Sequence, residues 1–169
     1  MDQQERIVYL SAWQADLGSA LFISLTDSFY CLPVVIDSRL EKPDQMAVLQ
    51  DVLVELADHK LLLIPANFVT DCHSTPPWSQ STLPAYDNLT NLAAVAHDRL
   101  YMEWEEFANL YEDLKALGEI AARAYADGVY YELMERFKPG SFRNKLYYAA
   151  VRLFGWRNWR KFRKQPETG

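Results

Sequence analysis

Short apolar runs separated by polar residues fill the first part of the chain, and this pattern is typical of β-strands. The runs are rich in β-branched and aromatic side chains and cover residues 7–10, 20–25, 29–36 and 60–64. Turn residues at positions 26–28 predict a hairpin connection. Because Pro33 lacks a backbone N–H, we expect its strand at a sheet edge or a bulge.

Residues 43–58 follow a different spacing, in which apolar side chains recur every three or four positions. They are Met46, Leu49, Val52, Leu53 and Leu56. This spacing predicts a helix that begins near Pro43 or Asp44. Residues 65–88 lose the periodicity and are rich in proline and serine. They are predicted to form a long loop, and long ordered loops are often functional.

From about residue 90 onward the apolar spacing predicts helices. The first runs to residue 102 with Thr90 or Asn88 as N-cap, and an amphipathic stretch with an acidic outer face follows until Gly118. Further helices are expected over residues 120–137 and from Ser141 to Gly155, where a left-handed glycine would end the helix. Strands followed by helices predict an α+β fold, in which a small N-terminal antiparallel sheet packs on a C-terminal helical bundle.

Composition supports one folded domain over the 169 residues. Half of the residues are apolar and 24% are charged, which is a globular composition. Two cysteines, Cys31 and Cys72, do not make a disulfide framework, so a reducing cytoplasm is expected. The chain begins without an export signal, and no run is apolar for the roughly 18 residues that a membrane helix needs.

Charge is divided unevenly along the chain. Residues 1–135 carry 7 Lys/Arg and 22 Asp/Glu, whereas residues 136–169 carry 10 Lys/Arg and a single Glu. The basic segment, which ends in a tail over residues 161–169, could attract phosphates of nucleic acid or lipid. We favour pairing with the protein's own acidic surface or with a neighbouring subunit, since the acidic remainder argues against nucleic acid.

The candidate chemistry is concentrated in two predicted helices. His97 and Asp98 are followed one turn later by Tyr101, and the next long helix carries Arg123 and Asp127 four residues apart. A histidine has a pKa of about 6.5, so a carboxylate fixed against one ring nitrogen leaves the other ready to take a proton near neutral pH. The alternative is structural, with His97, Asp127 and Arg123 satisfying one another between packed helices.

Several segments of the chain resemble the family of phage and prophage proteins called domain of unknown function 1353. The resemblance covers about residues 60–160 and rests on residues 64–76, 94–101, 122–127 and 147–155, with Trp159 after them. It implies a phage-associated gene and no assigned reaction. The chain departs from the family pattern at Asn67, where a glycine is usual, and in an acidic insertion over residues 103–119.

The arrangement His-Asp-x-x-Tyr, followed by a helix with a second aspartate, is similar to the core of secretory phospholipases of the A-two class. This similarity implies that His97 is the general base, that Asp127 orients its ring and that Asp98 holds calcium. The loop before this helix, expected to lie over the bundle near His97, would add oxygen ligands from Thr70, Asp71 and Ser74. The glycine-rich calcium loop and the disulfides of those lipases are absent.

A zinc site is a weaker alternative. It would draw its ligands from His73, His97, Asp71, Asp98 and Asp127, although no His-Glu-x-x-His motif is present. Together, the residues and the resemblance to the phage family imply a phage- or prophage-encoded hydrolase with a His-Asp dyad and a metal-assisted water, located in the host cytoplasm or the virion. The competing interpretation is a non-enzymatic structural, assembly or host-interaction protein, whose basic tail binds other phage proteins or a host protein.

Overall fold

The computed structural model describes residues 20–30, 32–35, 40, 45–71 and 87–164. The strand predicted at residues 7–10 lies outside them, as do Cys72, His73 and Ser74. In the described part, strands precede helices and the strands pack against the helices, so the predicted α+β class is confirmed. No helix in this part has both the length and the apolar character needed to cross a membrane.

Six short strands form two sheets within the described residues. They are β1 (Leu21–Ile23), β2 (Val34–Val35), β3 (Met46–Val48), β4 (Val52–Glu55), β5 (Leu61–Ile64) and β6 (Val69–Thr70). One sheet has the order β1-β4-β5 and the other β2-β3-β6. The β1–β4 pair is parallel, and the other pairs are antiparallel. Strand β2, which begins directly after Pro33, lies at the edge of its sheet among the described strands, as predicted.

The helix predicted over residues 43–58 is wrong. Its described part contains strands β3 and β4. Leu49, which a helix would have placed inside, is 59% exposed in the short connection between them. Val48, Val52 and Val54 are buried. Their β-branched side chains favour strands, and pairing of β3 with β6 and of β4 with β1, which are distant along the chain, overrides the helical spacing.

The hairpin predicted at residues 26–28 is also wrong. A turn is present, in which the Asp27 N–H donates to the Ser24 carbonyl over 3.2 Å. However, β1 and β2, the strands on either side, belong to different sheets. Asn67 has a backbone φ of 66°, in the left-handed region that glycine adopts freely and asparagine tolerates better than most side chains. Asparagine at this position is therefore compatible with a left-handed backbone.

The second half of the chain is helical. The helices are α1 (Asn91–Met102), α2 (Trp104–Ala108), α3 (Glu112–Lys115), α4 (Glu119–Phe137), α5 (Phe142–Phe154) and α6 (Trp156–Arg163). The predicted first helix, the long helix ending at residue 137 and the helix after Ser141 are confirmed. Gly118 precedes α4 in an extended conformation, and it separates this helix from the acidic α2 and α3.

The left-handed end predicted at Gly155 is wrong. Gly155 is helical, with φ −60° and ψ −22°, so the backbone runs from α5 into α6 with little interruption. A side chain would not fit there, because a Cβ atom would lie 2.5 Å from both the Tyr101 hydroxyl oxygen and the Val151 carbonyl oxygen. Glycine is needed at this position for close packing against α1, and not for its backbone freedom.

Candidate functional site

Helix α1 lies at the centre of the molecule, packed against α4, α6 and strand β5. Most of its residues are buried: Leu92, Ala93, Ala94, Val95, Ala96, His97, Arg99, Leu100 and Tyr101. A helix that is apolar nearly all round needs neighbours on every side. This arrangement places the side chains of His97 and Asp98, which diverge by about 100° around the helix axis, against different partners.

Asp127 of α4 is fully buried and is held by four side-chain donors. Its Oδ1 atom lies 3.0 Å from His97 Nε2 and accepts a hydrogen bond of 2.6 Å from the Tyr101 hydroxyl group. Its Oδ2 atom accepts hydrogen bonds from Arg152 over 2.9 Å and from Arg123 over 3.2 Å. The sequence-predicted residues His97, Tyr101, Arg123 and Asp127 therefore meet at one point.

The electrostatics of this cluster keep Asp127 ionised. Burial raises the pKa of its carboxyl group. Hydrogen bonds from His97, Tyr101 and Arg152, and the charge that His97 carries when it is protonated, lower this pKa more, so that it lies below the ordinary value. Burial, together with the Asp127 charge, raises the pKa of Tyr101, which therefore remains a donor. Because an ionised carboxylate only accepts hydrogen bonds, His97 Nε2 must carry a proton.

The His97 ring is sandwiched between aromatic rings and retains a small contact with solvent. Its centroid lies 4.1 Å from that of Tyr101 and 4.8 Å from that of Tyr130, and 9% of the side chain is exposed. Among the described residues, Asp127 is the single hydrogen-bond partner of His97. In the neutral ring, Nδ1 then carries the lone pair that a general base uses.

Asp98 has a different environment from Asp127. It is half-buried, and one of its oxygens accepts a hydrogen bond from the hydroxyl group of Thr70 at the end of β6. No cationic group among the described residues pairs with it. Burial raises the pKa of Asp98 to about 8, the Thr70 hydrogen bond opposes this shift, and the neighbouring Asp71 carboxylate adds to it.

The structure thus groups Asp98, Asp71 and Thr70, three of the residues predicted to hold a metal. Within the described ranges no three His, Cys, Asp or Glu side chains converge as metal ligands. Ser74 and the zinc candidate His73 lie outside those ranges, so the calcium and zinc hypotheses stay predictions. Asp127 does not share the Asp98 group, because both of its oxygens face His97, Tyr101 and the arginines.

Arg152 is a member of the cluster that sequence reasoning missed. It reaches Asp127 from α5, 25 positions along the chain, so no local spacing connects the two. The sequence showed only that Arg152 is a cationic residue on a predicted helix in the basic segment. Arg123 adds to the same junction by donating to the backbone carbonyls of Val151 and Arg152 over 3.2 and 3.3 Å, which ties α4 to α5.

Comparisons with known proteins give a family and no reaction. The family described as "Protein of unknown function (DUF1353)" matches residues 46–151, a span that contains His97, Asp98, Tyr101, Arg123 and Asp127. No curated protein and no solved structure matches the chain. Since the family match covers more than half of the residues, this chain belongs to the DUF1353 family.

Proposed function

We propose that this protein is a hydrolase in which His97 is the general base, Asp127 orients its ring, and Asp98 with Asp71 holds a divalent cation beside it. The observation that carries the proposal is the single hydrogen bond of His97. Asp127 accepts a hydrogen bond from the Nε2–H group, while Nδ1 has no partner among the described residues. A purely structural histidine would be expected to have both nitrogens satisfied.

The chemical step follows from this tautomer. Nδ1 accepts a proton from a water molecule while the water oxygen attacks the carbonyl carbon of an ester or amide. The bond to the leaving oxygen or nitrogen then breaks, and the imidazolium returns its proton to that atom. Asp127 stabilises the imidazolium by charge, and the Tyr101 and arginine hydrogen bonds fix the carboxylate in position.

The cation is supported by the donor set around Asp98. Two carboxylates and the Thr70 hydroxyl are hard oxygen donors of the kind that calcium takes, although calcium prefers about six to eight oxygens. A divalent cation there would supply charge that stabilises an oxyanion. The raised pKa of Asp98 fits a carboxyl group that lacks a compensating cation. We place calcium first and zinc second.

The test is hydrolysis by purified protein of a fatty-acyl phospholipid, a p-nitrophenyl ester and a peptide, with calcium or with chelator. His97→Asn should abolish turnover, because asparagine cannot act as a base. The matched control is His59→Asn, which changes a 58% exposed histidine in the turn before β5. Equal turnover in wild type and His97→Asn, or no turnover of any substrate by folded wild type, would contradict the proposal.

A second candidate is a non-enzymatic phage structural, assembly or host-interaction protein. The observation that favours it is the pairing of Asp127 with Arg123 and Arg152, which joins α4 to α5, while the Tyr101 hydroxyl joins α1 to the same carboxylate whatever His97 does. Origin from a phage or prophage is proposed from the sequence resemblance alone. This candidate predicts that His97→Asn leaves the biological role intact if the fold survives.

A further inference from the structure

Helices α5 and α6 carry an exposed face that changes from apolar to cationic along its length. On α5, positions 142, 146, 149 and 153 follow helical spacing and form one apolar stripe. Phe142 is 71% exposed and Leu153 is 65% exposed. The opposite side of α5 buries Asn144 and Tyr147, so the helix already has its inward face and the stripe is additional to it.

The same spacing continues into α6 because Gly155 keeps a helical backbone. There the exposed residues are Trp156, Arg157, Asn158, Arg160 and Lys161, and the exposed Lys164 follows directly after the helix. The guanidinium groups of Arg157 and Arg160 stack on the Trp156 ring at 5.3 and 5.5 Å from its centroid. Tryptophan flanked by arginines, beside an exposed apolar stripe, is a combination typical of helices that lie in a membrane interface.

The charged residues of α5 and α6 are all positive. Residues 142–164 contain eight Lys/Arg and no Asp/Glu. Arg152, Arg160 and Arg163 pair with Asp127, Glu119 and Glu105. The other five have no ion pair with a described residue, and they are Arg143, Lys145, Arg157, Lys161 and Lys164.

We propose that the α5–α6 face binds the surface of an anionic phospholipid bilayer. A bilayer interface matches both the apolar and the cationic part of this face. Its acyl boundary accepts Phe142 and Leu153, while its phosphates attract the α6 cations. A nucleic acid would complement the cations alone. A second copy joined symmetrically through this face would bring the same positive charges together. The proposal does not depend on catalysis by His97.

The test is sedimentation of the full chain with phosphatidylcholine vesicles that contain or lack phosphatidylglycerol. Wild type should sediment with the anionic vesicles and remain free with the neutral ones, and added salt should release it. Leu153→Ser should weaken binding several-fold, and Arg157→Gln and Lys161→Gln should each weaken it about fivefold, the ratio expected for one interfacial cation. The matched controls are Leu110→Ser, also at an exposed leucine, and Lys115→Gln in the acidic α3.

All these substitutions are at exposed positions, so melting temperatures should stay close to wild type. Tryptophan emission should shift to the blue with anionic vesicles, and Trp156→Phe should reduce the shift. Absence of sedimentation, equal binding to neutral vesicles, or equal loss in the control variants would overturn the proposal. So would a dimer in analytical ultracentrifugation that Leu153→Ser dissociates, because the face would then join two copies. His97→Asn should bind vesicles normally, which separates this result from the hydrolase test.

Discussion

Two aspartates near the same helix have opposite surroundings. Asp127 is fully buried and accepts four hydrogen bonds, including two from arginines, and its pKa lies below the ordinary value. Asp98 is half-buried with the Thr70 hydroxyl as donor, and its pKa is raised to about 8. Environments that shift the pKa values of two carboxyl groups in opposite directions are characteristic of sites in which the two groups have different roles. We infer that Asp127 holds His97 in place and that Asp98 is the group that responds to a ligand.

The largest expected effect is from removing the charge of Asp127. Asp127→Asn removes the charge of a fully buried carboxylate and leaves the partly buried Arg123 and Arg152 without it, and we expect a loss of about 3 kcal/mol in the free energy of unfolding. Urea unfolding would measure it. Asp113→Asn, at an exposed partner of Lys60, is the control and should cost less than about 1 kcal/mol. A loss no larger than that of the control would mean that Asp127 is not the structural anchor.

Gly155→Ala perturbs the same cluster without changing any charge. Its Cβ would lie 2.5 Å from the Tyr101 hydroxyl oxygen, so that α6 or Tyr101 must shift at a cost of about 1–3 kcal/mol. The matched control is Gly128→Ala inside α4, where a Cβ meets nothing within 4 Å. That change should stabilise the protein by about 0.5–1 kcal/mol. If thermal melts showed that both variants change the melting temperature in the same direction, this description of the packing would be contradicted.

Tyr101→Phe removes one donor from Asp127 and leaves the ring in place. The lost hydrogen bond of 2.6 Å should lower the free energy of unfolding by about 1–2 kcal/mol. It should also loosen the orientation of His97, so hydrolytic turnover should fall more than substrate affinity. Tyr125→Phe, which removes a hydrogen bond to the exposed Asp58, is the control. Kinetics of Tyr101→Phe identical to those of this control would remove Tyr101 from the orienting network.

The two aspartates should also differ in the sign of their pH dependence. Because the folded pKa of Asp98 is above its unfolded value, its effect on stability is unfavourable and grows as pH rises from about 4 to about 8. In the presence of chelator, Asp98→Asn should therefore gain stability relative to wild type over that range, by roughly 1 kcal/mol after allowance for solvent screening. Asp127 has a lowered pKa, so the stability it contributes is lost as pH falls below its ordinary pKa. Urea unfolding across pH would give the free energy of unfolding of each asparagine variant relative to wild type. This difference should change with pH in opposite directions for the two variants, and a change in the same direction would contradict the comparison.

The sequence was a good guide to the helices and to part of the cluster. The pairs His97 with Asp127 and Arg123 with Asp127 were predictable, because helical spacing puts Arg123 above Asp127 and two neighbouring helices bring His97 to it. Arg152 was not predictable, since its contact depends on how α5 packs against α4. Spacing alone also could not show that Gly155 is required for close contact with Tyr101.

The strands were harder to predict, for a physical reason. Strands of two to four residues carry little periodic signal, and a run such as residues 46–56 matches helical spacing as well as it matches two strands. Pairing between distant segments, for example β1 with β4 and β3 with β6, then decides the outcome. Local sequence contains little information about such pairing, so the division into two sheets emerged only from the structure.

The most direct test of the divided roles is calorimetric titration of calcium into wild type and Asp98→Asn, with thermal melts of both. We expect calcium to bind wild type with release of a proton, because a carboxyl group with a pKa of about 8 must ionise to take the cation. Binding should be lost in Asp98→Asn while the fold is retained. Absence of binding to calcium, zinc and magnesium in wild type, or unchanged binding in Asp98→Asn, would contradict the account.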